Sequence, residues 1–91
     1  MPYIEQKDRN EKFGDLTCEN LRLGYACENP GDLNYVITVI CQQYIKSKGL
    51  RYQYINDVVG ALEGAKLEFY RRIAAPYEDE KINLNGDVNI L

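Results

Sequence analysis

The sequence contains no histidine and no tryptophan, and its three cysteines form no CxxC pair. A catalytic nucleophile needs a neighbouring base, so Ser47 and the cysteines have no evident partner for covalent catalysis. Structural zinc sites are built from closely spaced cysteine and histidine ligands, and phosphate-binding loops follow the pattern GxxxxGK. Neither pattern occurs in the sequence. We therefore predict a protein that is not an enzyme and that has no metal site and no cofactor.

Long apolar runs are also missing. No stretch approaches the roughly 18 consecutive apolar residues of a membrane-spanning helix, and the N-terminal residues lack the apolar region of a secretory signal. The formal net charge is −3 and the isoelectric point is about 4.9. Proteins that bind duplex nucleic acid without sequence preference usually carry a basic face. We expect a protein that associates with neither a membrane nor duplex nucleic acid and that is located in the cytoplasm.

The remaining composition is typical of a small globular protein. Of the 91 residues, 45% are hydrophobic and 27% are charged. A chain of this length has a modest core and room for one domain only. We predict that residues 1–91 form a single helical domain.

The most regular stretch runs from Arg51 to Ala75 and is predicted to be one long helix. Its inner stripe has spacings of 4, 3, 4 and 4, which is typical of a helix that packs on a core; the stripe consists of Val58, Leu62, Ala65, Phe69 and Ile73. A second apolar set lies beside it and consists of Ile55, Val59, Ala61 and Tyr70. One partner helix cannot cover both sets. Gly60 and Gly64 also indicate a close neighbour, so we predict a homo-oligomer.

A second helix is predicted from Leu33 to Ser47. Its β-branched run from Val36 to Ile40 is compatible with a strand, but the helical spacing of the apolar residues favours a helix. Either Asn29 caps this helix with Pro30 in the first position, or Asp32 caps it after a turn. We favour Asp32. The short link at Gly49 and Leu50 predicts an antiparallel hairpin with the long helix.

The ends of the chain are less regular. A short helix is predicted from about Ile4, with Gly14 ending it. The stretch from Asp15 to Glu28 is either a loop or one more turn, and Gly24 should break it. Pro76 should interrupt the long helix, after which the chain either kinks and continues or begins a new short helix. The predicted fold is therefore all-α, with a short N-terminal helix and a helical hairpin packed as an oligomer.

One cluster near the end of the long helix combines positive charge with aromatic surface. Arginine donors fit a phosphate, and tyrosine rings can stack on a base. The predicted ligand-binding residues here are Lys66, Tyr70, Arg71, Arg72 and Tyr77. The alternative is structural: the arginines favour the helix dipole and pair with Glu68, Glu78 or Asp79. Asn34, Tyr35 and Thr38 form a second polar group that lines the same cleft or an interface.

Three blocks of the sequence resemble a family of small uncharacterised proteins of tailed phages and prophages. They are GDLNYVIT (31–38), NDVVGALEGAKLEFYRRIAAPYEDEKI (56–82) and NGD (85–87). The resemblance covers about the last two thirds of the chain, and the stretch from Gly14 to Asn29 does not contribute to it. It implies a phage accessory protein in the host cytoplasm, with no known activity.

Three functions are compatible with this resemblance. Small helical phage proteins often act against host defence, and one class consists of oligomeric sponges that sequester cyclic or modified nucleotides. The first hypothesis is such a binder, and this step is an analogy. The second is an inhibitor or adaptor that binds a host protein through an exposed apolar patch. The third is a structural or replication accessory protein of the phage.

Overall fold

The computed structural model describes residues 4–14 and 16–89. Within these residues the chain forms α1 (Gln6–Phe13), α2 (Leu23–Ala26), α3 (Pro30–Lys48), α4 (Tyr52–Phe69), a π-helix (Tyr70–Ala74) and α5 (Ala75–Asn85). The described part of the chain contains no strand. The all-α prediction is therefore confirmed, and the β-branched run from Val36 to Ile40 is helical.

The N-terminal stretch differs from prediction in its details. Helix α1 begins at Gln6, slightly later than expected, and ends at Gly14, whose φ of 61° suits glycine. Thr17 and Asn20 exchange hydrogen bonds between their side chains and backbone N–H groups, at 2.8 and 3.3 Å. This turn leads into α2, which contains Gly24. The prediction that Gly24 interrupts helical structure was wrong, because one glycine costs a helix only about 1 kcal/mol of stability. Asp15 lies outside the described residues.

Asn29, and not Asp32, caps α3. The Asn29 side chain accepts a hydrogen bond of 2.9 Å from the backbone N–H of Asp32, and Pro30 takes the first helical position. Asp32 in turn accepts a 3.0 Å hydrogen bond from the N–H of Glu28. The preference for Asp32 as the cap was therefore wrong. Pro30 explains the outcome, since a missing N–H costs nothing in the first turn of a helix.

The long helix passes Pro76 without ending. Proline has no N–H, and its ring clashes with the carbonyl four residues earlier, here that of Arg72. The π-helix before Pro76 has wider turns, in which the Ala75 N–H bonds to the Tyr70 carbonyl five residues back. The predicted interruption near Pro76 is therefore confirmed. It begins earlier, at Tyr70, and the chain then continues as α5 to Asn85, where Gly86 with φ 85° ends it.

The chain divides into two units, Met1–Leu50 and Arg51–Leu91. Helices α1 to α3 belong to the first unit, and α4, the π-helix and α5 belong to the second. The antiparallel pairing of α3 with α4 joins different units and stays a prediction. The single domain predicted for residues 1–91 also stays a prediction.

Apolar side chains are accessible on both long helices. None of the described residues is buried. On α4, Leu62 and Phe69 of the predicted inner stripe are 42% and 62% exposed, and Val58 is half-buried. On α3, Leu33 and Ile40 are about half exposed. Helices of this length depend on tertiary packing for their stability, which is consistent with an oligomer, although the oligomer stays a prediction. Among the described helices, none has the length and apolar character to cross a membrane.

Replacing Pro76 with alanine should stabilise the second unit. Alanine restores a backbone donor and removes the clash, and proline costs up to about 3 kcal/mol inside a helix. We expect the free energy of unfolding to rise by about 1 kcal/mol or more and the Tm by roughly 5 °C. Circular dichroism melting measures the effect. Pro30→Ala is the matched control and should give no gain, because Pro30 occupies a favourable first position. Equal melting shifts for both variants would contradict this account of the π-helix.

Gly60 tests the predicted oligomer. Beyond the adjacent turns of α4, a methyl group added at Gly60 meets nothing within 4 Å, so a steric effect of leucine there requires a further packing neighbour, either the predicted partner α3 or another chain. We expect Gly60→Leu to reduce the oligomer mass measured by light scattering, because leucine overcrowds a close interface. Gly60→Ala is the matched control and should keep the mass. A parent protein that scatters as a 10.5 kDa monomer at micromolar concentration would refute the oligomer.

Candidate functional site

The predicted cluster surrounds the π-helix. Lys66 lies in the last turns of α4, Tyr70 to Arg72 lie in the π-helix itself, and Tyr77 follows Pro76 in α5. All five side chains are exposed. π-Helical turns within α-helices are rare and are frequent at functional sites. The sequence-predicted cluster and this unusual backbone segment therefore coincide.

Glu68 forms ion pairs with both arginines of the cluster. The Arg71 Nη2 atom donates to Glu68 Oε1 at 2.7 Å, and Arg72 Nε donates to the same oxygen. The pairs span three and four residues, the spacings that bring side chains together on a helix. The pairing with Glu68 that was weighed from the sequence is therefore present. The carboxylate offsets one of two positive charges, so the trio keeps a net charge of about +1 at pH 7.

The other basic and aromatic members have partners of their own. Lys66 Nζ lies 3.7 Å from Glu63 Oε1, and both side chains are more than half exposed. The Lys81 ammonium lies 5.4 Å from the centre of the Tyr77 ring. This cation–π contact occupies one face of Tyr77 with positive charge. Such exposed contacts are weak, so a ligand can replace them.

Tyr70 connects the two sides of the π-helix. Its hydroxyl donates to both carboxylate oxygens of Glu78 in α5, at 2.9 and 3.1 Å. The hydrogen bond to Glu78 raises the pKa of Tyr70, and the negative charge of the carboxylate raises it further. The hydrogen bond from the neutral Tyr70 side chain therefore connects the π-helix to α5 across Pro76. Glu78 was weighed from the sequence as an arginine partner, but its observed hydrogen bond is to tyrosine.

The second predicted group, Asn34, Tyr35 and Thr38, lies on α3. Thr38 Oγ1 donates to the Asn34 carbonyl at 2.8 Å and also lies 3.2 Å from Asn34 Oδ1. Tyr35 is 70% exposed. These residues belong to the first unit and the arginine cluster to the second. A cleft shared by the two groups stays a prediction.

The structure also shows features that the sequence did not single out. A groove of about 370 Å³ lies in the first unit and includes none of the predicted site residues; it is lined by Ile4, Gln6, Arg9, Asn10, Phe13, Gly14, Leu16 and Thr17. Glu68 is not among the predicted ligand-binding residues, although its spacing to both arginines is the sequence signal for its central position. No group of three or more acidic, cysteine or histidine side chains within the described residues is placed to hold a metal ion.

The arrangement suits the binding of an anion. Two guanidinium groups converge on one carboxylate oxygen, with tyrosine rings on both sides in the sequence. Guanidinium donors match carboxylate and phosphate oxygens alike. Its guanidinium groups are donors for an oxoanion, and its tyrosine rings offer exposed aromatic surface.

Comparison with known proteins identifies the family. The family model described as "Domain of unknown function (DUF6899)" matches residues 1–88. The chain belongs to this family. The match confirms a family of uncharacterised proteins and includes the stretch from Gly14 to Asn29, which had carried no resemblance. The chain matches no curated protein and no solved structure.

The Tyr70–Glu78 contact makes a prediction about titration. Glu78→Gln should lower the pKa of Tyr70 toward its ordinary value, because the amide removes the negative charge that opposes the tyrosinate. Ultraviolet difference titration of the parent against Tyr70→Phe isolates this group among the eight tyrosines. Glu80→Gln is the matched control.

The sign of the pH effect follows from the raised pKa. The hydrogen bond should be fully present below the ordinary tyrosine pKa and should be lost as the pH rises through the raised value. An unchanged Tyr70 titration in Glu78→Gln would contradict the contact.

Proposed function

We propose that this DUF6899 protein is a non-enzymatic, homo-oligomeric binder that sequesters a nucleotide-type signal of host immunity. The observation that supports it best is the convergence of Arg71 and Arg72 on one carboxylate oxygen beside Tyr70. A phosphate offers the same kind of acceptor and more of them. The ligand class is a cyclic or modified nucleotide, which combines phosphate with an aromatic base.

Electrostatics supports an anionic ligand at this place in an acidic protein. The whole chain has a net charge of −3, so an anion needs a local positive field. The segment from Glu68 to Arg72 carries one negative and two positive charges. The arginine side chains are 65% and 60% exposed. Solvent-facing guanidinium groups are accessible to an incoming phosphate.

Aromatic surface supports the nucleotide part of the proposal. Tyr70 and Tyr77 are both more than half exposed and lie on either side of Pro76. Stacking of a base on an aromatic ring contributes about 1–3 kcal/mol and tolerates any base. In the first unit, Tyr35 with Asn34 and Thr38 supplies a second group of polar and aromatic side chains, which we propose as further ligand-binding residues. The combination favours a nucleotide over inorganic phosphate.

An oligomer completes the proposed site. Small-molecule sites usually enclose most of the ligand surface, whereas every residue of the cluster is exposed in the single chain. The accessible apolar residues of α3 and α4 provide surface for contacts between chains. Association through these faces brings neighbouring clusters close together. We propose that the ligand is enclosed between subunits.

The biological setting rests on the resemblance to phage proteins. The family match supports a family of uncharacterised proteins and carries no statement of source. The YRR and APYEDEKI blocks, which carry the resemblance, are also the segments that form the π-helix and the start of α5. We therefore place the proposed binder in the cytoplasm of an infected host, where it lowers the concentration of a defence signal.

A protein-binding adaptor is the second candidate. The exposed apolar side chains of α3 and α4 favour it, because large accessible apolar surfaces mark interaction sites. An adaptor needs no small-molecule pocket, and its arginines only stabilise the helix end. It predicts no response to nucleotides and a stable complex with a host protein.

A thermal-shift screen separates the two candidates. The full chain is heated with cyclic dinucleotides, cyclic trinucleotides and ADP-ribose derivatives, and each bound compound is re-extracted and examined by mass spectrometry. Ligand binding raises the Tm by mass action. A sequestering protein returns the compound intact. No shift with any compound would remove the nucleotide proposal, and a chemically altered compound would show an enzyme.

The two arginines provide the mutational test. Charge-assisted contacts contribute about 1.5–3 kcal/mol each, so Arg71→Ala or Arg72→Ala should weaken binding of the best compound about 10- to 150-fold. Calorimetry measures the affinity, and circular dichroism and light scattering check helix content and mass. Lys46→Ala in α3 is a matched control with the same loss of charge. Folded arginine variants that bind like the parent would place the site elsewhere.

A further inference from the structure

We propose that Glu68 is a built-in competitor that occupies the position of the ligand's oxoanion and that a phosphate or diphosphate group displaces it. This inference rests on the proposed function and names the part of the ligand that the arginines hold. It concerns the two contacts from Arg71 and Arg72 to Glu68 Oε1.

The exposure of the three side chains supports an occupied anion position. The Glu68 side chain is only 24% exposed, whereas the arginines that meet it are 65% and 60% exposed. The arginine side chains are therefore the more accessible members of the trio. An oxoanion that arrives from solvent competes with Glu68 for their donors.

The chemistry of the acceptor explains why one anion can replace the other. A carboxylate presents two oxygens to a guanidinium group, and a phosphate presents three oxygens with similar spacing. A terminal phosphate carries a charge of about −1.5 to −2 at pH 7, compared with −1 for the carboxylate. The phosphodiester of a cyclic nucleotide presents two free oxygens and a charge of about −1, like the carboxylate that it replaces. Two arginines that already converge on one carboxylate oxygen need only a small change to hold a phosphate.

The strength of the existing contacts also favours exchange. Arg71 and Arg72 lie three and four residues after Glu68 and are more than half exposed, and ion pairs at these helical spacings contribute little to stability. Glu78, the next acid along the helix, is bonded to Tyr70. Glu68 is therefore the acid that the ligand has to displace.

The pairing of Glu68 with the arginines lowers the affinity of the site for phosphorylated ligands. A competitor attached to the site weakens binding of every phosphorylated ligand until it is removed. Glu68→Gln keeps the size of the side chain and removes its charge. We expect this variant to bind pyrophosphate about 3- to 10-fold more tightly than the parent, which corresponds to the loss of two exposed ion pairs.

The experiment is calorimetric titration of the full chain with pyrophosphate at fixed ionic strength. Glu11→Gln in α1 is the matched control, because it removes the same charge from an exposed residue outside the candidate site. It should bind within about twofold of the parent, since its loss changes only the overall charge of the chain. Circular dichroism and light scattering confirm that each variant keeps its helix content and mass.

The outcomes separate this inference from the proposed function. Tighter binding by Glu68→Gln supports the inference even where the nucleotide screen fails. Equal or weaker binding by Glu68→Gln, with a parent that binds nucleotides, overturns the inference and leaves the proposed function intact; Glu68 then positions the arginines. Equal gains in Glu68→Gln and Glu11→Gln show a general charge effect and overturn it. Absence of pyrophosphate binding in both parent and Glu68→Gln also overturns it.

A second measurement uses the parent protein and keeps the test valid if Glu68→Gln fails to fold. Nuclear magnetic resonance of the labelled chain follows the Glu68 carboxyl carbon and the Arg72 Nε–H during addition of pyrophosphate. Displacement should move both signals together, and the Glu68 signal should reach the position of a solvated carboxylate. An Arg72 signal that moves while the Glu68 signal stays in place would overturn the exchange.

Discussion

A proline inside a continuous helix removes one backbone donor and pushes against the turn that precedes it. In this protein Pro76 meets that constraint through a π-helix from Tyr70 to Ala74, and the helix continues to Asn85. The wider turn contains both arginines of the candidate site. The Tyr70 hydroxyl then bonds to Glu78 beyond the proline and fastens the two sides. The π-helix therefore carries the arginines and Tyr70, which we assign to ligand binding.

The charge pattern around that unit resolves an apparent conflict between an acidic protein and an anionic ligand. The chain has a net charge of −3, but the two acids nearest the π-helix have different hydrogen-bond partners. Glu78 accepts from Tyr70, and Glu68 gathers the two arginines. The two carboxylates offset the two arginines, whose side chains remain 65% and 60% exposed as hydrogen-bond donors. Short-range pairing, rather than the net charge, decides what this part of the surface attracts.

The two long helices place many apolar side chains in accessible positions. Apolar burial is the main stabilising term for folded helices, because short isolated helices are only marginally stable in water. A chain whose described residues include none that is buried depends on further contacts to hold its helices. We propose that the same contacts between chains stabilise the helices and enclose the ligand.

The sequence by itself determined the features that depend on near neighbours along the chain. The helical class, the end of α1 at Gly14 and the interruption near Pro76 follow from helical periodicity, glycine and proline, which act over one or two turns. The three-dimensional structure decided between competing partners. Asn29, rather than Asp32, caps α3. Glu68 forms ion pairs with both arginines, and the Tyr70 hydroxyl donates a hydrogen bond to Glu78. Each outcome depends on which groups the folded backbone brings within hydrogen-bonding distance, and sequence spacing alone leaves several partners within reach.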